Sequence, residues 1–78
     1  MLDNRDVRLA GVFEKMLTRR EMQVTRLVSH GLANKVIAEQ LGLREGTVKI
    51  HLHNIYRKLR VPNRTVLMLN WIAERESQ

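Results

Sequence analysis

One stretch dominates the pattern of apolar and polar positions, Glu45 to Leu59. Its apolar residues fall at Val48, Leu52, Ile55 and Leu59, spaced four, three and four apart. That spacing puts them on one face of a helix. The opposite face carries Gly46, Lys49, Ile50, His53 and Arg57, and the three bases, at intervals of four, form a single row. Upstream, Thr18-Arg19-Arg20-Glu21 has the spacing of a capping box, with Leu17 and Met22 at the staple positions around it. Val24, Leu27 and Val28 then predict the buried stripe of a helix ending near His30, with Gly31 closing it.

A short second helix is predicted from about Asn34 to Leu41, with Ile37, Ala38 and Leu41 inward, Gly42 closing it and Leu43 plugging the turn. Ala38 is small where two helices approach. The Glu45–Leu59 helix follows after a very short turn. Two helices joined this closely, the second carrying bases, predict a helix-turn-helix. Val61-Pro62-Asn63 breaks the chain, and Asn63 is a good N-cap for a last helix from about Arg64 to Arg75. Val66, Leu67, Met68, Leu69, Trp71, Ile72 and Ala73 make that helix apolar almost all the way round. One stripe serves a core; a second apolar face points to self-association, unless residues 1–17 fold back over it. Those residues read as a lead-in or linker. A short amphipathic helix from about Arg5 to Met16 fits them, weakened at Gly11 by about 1 kcal/mol relative to alanine. The domain proper is expected over 18–78.

Composition narrows the function classes. Seventy-eight residues allow one domain with a small core. There is no cysteine, so neither disulfides nor thiolate metal sites can staple it. His51 and His53, two apart, fall on different helix faces, which argues against a zinc pair. No apolar run approaches the roughly 20 residues that span a membrane, and the first residues carry acids where a signal peptide needs bases. A soluble cytoplasmic protein is expected. The net charge of +6 favours a polyanionic partner. From Arg44 to Arg64 there are six Lys or Arg and one acid, Glu45. A helix with one buried stripe and one basic row fits the DNA major groove, so Glu45–Leu59 reads as a recognition helix. Acids are sparse, and neither a nucleophile–base pair nor a phosphate-cradling glycine loop occurs, so an enzyme is not expected. No cofactor or small-molecule site is expected either.

From Leu17 to about Ala73 the sequence resembles the LuxR/FixJ (GerE-type) C-terminal DNA-binding domain of bacterial transcription regulators. The residues that carry the resemblance are Leu17-Thr18-Arg19-Arg20-Glu21, Gly31, Asn34-Lys35-Val36-Ile37-Ala38, Thr47-Val48-Lys49-Ile50-His51, Asn54-Ile55-Tyr56-Arg57-Lys58-Leu59 and Asn63-Arg64-Thr65. The match covers about three quarters of the chain, and these residues keep the family's order and spacing. The resemblance implies an all-α, four-helix LuxR-type helix-turn-helix domain behind an N-terminal lead-in. It implies a dimer on duplex DNA, with the third helix in the major groove and the fourth at the dimer contact. Lys49, Ile50 and His53 match positions that touch bases in the family. Asn34, Lys35, Thr47 and Arg57 are candidates for the phosphate backbone. The sequence departs from the family pattern at Arg44 and Ala33, where capping oxygens are usual. Arg44 adds a cation that can reach a phosphate instead, and Asn34 is left as the substitute cap. His53 often corresponds to a Lys or another polar residue, so base preference does not carry over. A contact with RNA polymerase and a nucleoid-associated location follow from the same resemblance.

Blander readings stand beside these. Glu21 reads as the capping acid or as partner to an arginine such as Arg64, Ile50 as a partly buried apolar residue, His53 as a solvated histidine, His51 as a packing residue, and Trp71 as core first and dimer seam second. Val66, Leu69 and Asn70 are the expected dimer contacts. Two competing functions remain: an RNA polymerase specificity subunit fragment resembling sigma region 4, which needs no dimerising last helix, and a protein-interaction module without DNA affinity. Family members often carry a sensor or receiver ahead of this domain. None fits in residues 1–17, which leaves either an excised domain or a small stand-alone regulator.

Overall fold

The computed structural model describes residues 11–76, and all regular structure among them is helical. Residues 11–16 are helical; the rest of the predicted Arg5–Met16 helix lies outside the described residues. Four helices follow: α1 Arg19–Ser29, α2 Asn34–Leu41, α3 Glu45–Leu59 and α4 Arg64–Glu76. The last runs one residue past the predicted Arg75.

Local chemistry sets most of these boundaries. Thr18 accepts from the Glu21 amide at 3.1 Å, and the Glu21 carboxylate accepts from the Thr18 amide at 2.9 Å, so the capping box is closed both ways. Gly31 (φ 82°) and Gly42 (φ 68°) take the left-handed conformation that ends α1 and α2. Asn63 caps α4 by accepting from the Val66 amide at 3.0 Å. Arg60 also sits in the left-handed region, at φ 57°, where a side chain costs about 1–2 kcal/mol. It lets the Val61 amide donate to the Tyr56 carbonyl at 3.0 Å and turns Val61 into the core.

The core contains Val24 and Val28 of α1, Ile37 and Ala38 of α2, Val48, Leu52 and Ile55 of α3, and Leu67 and Trp71 of α4. Leu27, Leu41 and Leu59 pack against it half-buried. Residues 12–17, before α1, join this core. Phe13 and Leu17 are buried, and the Phe13 ring meets Trp71 edge-on, with centroids 5.1 Å apart. The Arg75 guanidinium covers Trp71 at 4.4 Å from the ring centroid. Part of the apolar excess of α4 is thereby consumed within the chain. Leu69 and Ile72 remain 60% and 42% exposed.

A candidate nucleic-acid interface

α3 is held at both ends of its buried stripe. Val48 and Ile55 are fully buried and Leu52 nearly so. At its C-terminal half, Lys58 donates to the Glu21 carboxylate at 2.8 Å, tying α3 to the first turn of α1. Of the two readings of Glu21, the capping acid holds, and the cation paired with it is Lys58, not an arginine such as Arg64. Burial raises the Glu21 pKa. The bonds from Lys58 and from Thr18, together with the Lys58 charge, more than offset it and hold the carboxyl below its ordinary value of 4.5. Lys58 could be sought by register: three residues after Ile55, it lies near the buried side of α3.

The opposite face of α3 is open. Gly46, Lys49, Ile50, His53 and Arg57 are all exposed, and Ile50 is 62% exposed, unusual for an isoleucine in so small a fold. The alternative of partial burial for Ile50 does not hold. Lys49 lies 4.0 Å from Glu45 one turn earlier; both are well exposed, so this pairing contributes little and leaves Lys49 available. Arg57 donates weakly to Asn54 at 3.4 Å. Thr47 is half-buried near the start of α3.

The two helices of the helix-turn-helix begin without a side-chain cap. Ala33 before α2 and Arg44 before α3 have extended backbones and supply no capping oxygen. Their first amides are therefore without a capping partner from those side chains and carry the positive end of each helix dipole. Asn34 does not substitute as the cap: it is the first residue inside α2, and its side-chain oxygen accepts from Arg64 at 2.7 Å. Arg64 also donates to the Leu32 carbonyl. Lys35 and Arg44 are exposed beside these helix starts.

The expected dimer residues lie on α4. Val66 is half-buried against the core, whereas Leu69 and Asn70 are exposed. Asn70 lines a shallow cleft of about 310 Å³ with Val12, Phe13, Met16, Leu59, Ala73 and Glu74. Burial raises the Glu74 pKa, against a bond from the Phe13 amide and the charge of Arg75, and the charge of Glu14 raises it further. No group of three or more potential metal ligands occurs among the described residues, and no described helix is long and apolar enough to cross a membrane.

Residues 15–71 match the family described as "Bacterial regulatory proteins, luxR family" (GerE). The chain belongs to this family. It is a DNA-binding helix-turn-helix family of transcription regulators, not a family of enzymes. The nitrate/nitrite response regulator protein NarP of Escherichia coli is 40% identical over 63 residues, covering 81% of this chain and 29% of that protein. A nitrate/nitrite response regulator homolog of Haemophilus influenzae is 54% identical over 48 residues, covering 62% of this chain and 23% of that protein. The transcriptional regulatory protein LnrK of Bacillus subtilis is 53% identical over 49 residues, covering 63% and 22% respectively. This LuxR-family chain thus spans less than a third of the length of these relatives. No solved structure matches it.

Proposed function

We propose that the chain binds duplex DNA sequence-specifically as a pair of copies and so regulates transcription. One observation carries this reading: α3 turns Lys49, Ile50, His53 and Arg57 to solvent on the face opposite its buried stripe. An α-helix of this kind fits the major groove. There Lys49 donates to a guanine edge, Ile50 touches a thymine methyl and His53 hydrogen-bonds a base edge or phosphate. Asn34, Lys35, Arg44, Thr47 and Arg57 engage the phosphate backbone and fix the register. The starts of α2 and α3, which lack a side-chain cap, suit the same oxygens. Two copies pair through Val66, Leu69 and Asn70 on α4 and present their α3 helices to successive major grooves, about 10 base pairs apart. A duplex-DNA partner implies a cytoplasmic, nucleoid-associated location. The named relatives, a response regulator and a transcriptional regulatory protein among them, agree with this role.

Selection of bound duplexes from a randomised pool tests it. An enriched inverted repeat is the expected result, and its spacing reports the α4 pairing. Binding that falls steeply with salt and enriches no sequence would leave only the phosphate interaction and refute specific recognition.

A further inference from the structure

Arg64 stands out because it opens α4 yet spends its guanidinium on the helix-turn-helix. One terminal nitrogen donates to the Asn34 side-chain oxygen at 2.7 Å and the other to the Leu32 carbonyl. It is half-buried, and its charge acts on Tyr56 of α3, where burial otherwise raises the phenol pKa. One side chain thus meets the loop before α2, the first residue of α2 and the surroundings of α3.

The chemistry of this pair fixes an orientation. A guanidinium only donates, so the Asn34 amide can present nothing to it but its oxygen. Nitrogen and oxygen diverge from Cγ, so the Asn34 Nδ2 points away from Arg64, and neither of its hydrogens finds a partner among the described residues. A phosphate oxygen only accepts, and Nδ2 is the atom it needs. An unclamped asparagine would turn its oxygen to the backbone as readily as its nitrogen, and the oxygen repels phosphate.

We propose that Arg64 is a positioning residue for DNA binding. It touches no DNA itself and locks the Asn34 amide with its donors facing the phosphate backbone, which joins the start of α4 to the DNA-facing end of α2. This rests on the reading of Asn34 as a phosphate contact.

The test uses the 78-residue chain and a labelled short duplex of arbitrary sequence, since a phosphate contact does not depend on bases. Dissociation constants are measured across a salt series for wild type, Arg64→Gln, Asn34→Ala and the double variant, with thermal melts of each. Each single change should weaken binding about five- to tenfold, and the double should weaken it no further than one alone. The slope of log K against log salt should not change in Arg64→Gln, because a residue that neutralises no phosphate releases no counterion. A slope smaller by about one would show that Arg64 is itself a phosphate ligand and overturn the proposal, as would additive losses. Arg64→Lys keeps the charge and the helix start but loses the two-pronged donor. It guards against a poorly folded glutamine variant: an ammonium also only donates, so it can still hold the Asn34 oxygen and should recover part of the lost binding; no recovery by a lysine variant that melts like wild type would also overturn the proposal. Absence of any salt-dependent binding by wild type would remove the underlying DNA reading, and that outcome is visible before any variant is compared.

Discussion

The two faces of α3 use the same kind of residue for opposite ends. Ile55 on one face is fully buried, and Ile50 on the other is 62% exposed. Lys58 near the buried side is spent on Glu21 at 2.8 Å, whereas Lys49 on the open side has only a long, exposed contact with Glu45. Residue type therefore does not assign a role on this helix; the face does. The helix starts repeat the contrast. α1 and α4 are capped by Thr18 and Asn63, while α2 and α3 begin at Ala33 and Arg44 without a side-chain cap. Thr18 and Asn63 thus close their helix starts within the chain, whereas the starts of α2 and α3 lack a side-chain cap.

The contrast is broken most forcefully from the buried side. Ile55→Ala should cost about 2–4 kcal/mol of stability by the cavity it leaves. Well below its melting temperature its DNA affinity should stay near wild type, as chemical denaturation and a binding titration would reveal. Glu21→Ala comes next, at about 2–3 kcal/mol, because it opens the capping box and strands Lys58. Glu21 also gives a pH signature. Its folded pKa is depressed, so its contribution is present above its ordinary value of 4.5 and is lost as the pH falls through the lower folded value. Melting temperature should drop on acidification, and Glu21→Gln should drop less; an equal drop would take Glu21 out of the account. Glu74, with its pKa raised, works in the opposite direction and blunts the total.

From the open side, Lys49→Ala should weaken specific binding by about 1–3 kcal/mol if Lys49 makes a bidentate guanine contact. It should shift stability by no more than about 0.5 kcal/mol. Comparable losses in melting and binding would erase the distinction between the faces. The smallest effect is expected at Arg60, where φ is 57°. Arg60→Gly should relieve left-handed strain and raise stability by about 0.5 kcal/mol; a decrease in the denaturation midpoint would show that its side chain supports the turn.

Much of the fold was legible because its signals are local. Thr18 and Glu21, Gly31, Gly42 and Asn63 mark helix ends by chemistry that spans a few residues, and the stripe Val48, Leu52, Ile55 names the buried face of α3 by period alone. What escaped was set by helix packing. Glu21 finds Lys58 across 37 residues, and Arg64 finds Asn34 across 30. No pattern along the chain encodes such distances, so the sequence suggested Arg64 for Glu21 and a capping role for Asn34. The left-handed Arg60 escaped because arginine, unlike glycine or asparagine, does not announce that conformation. Covering of Trp71 by Phe13 depended on how the segment before Thr18 folds back. On the open face the residues were legible as a row, since exposure and charge follow the period; the base contacts proposed for them are not, because a duplex would supply half of each.

The central claim is that the open face of α3 reads sequence. The most direct measurement compares the affinity of the chain for its most enriched duplex and for a shuffled duplex of equal length and composition, at about 0.15 M salt. The account predicts a preference on the order of a thousandfold or more, largely abolished by Lys49→Ala together with His53→Ala. Equal affinity for the two duplexes would contradict it.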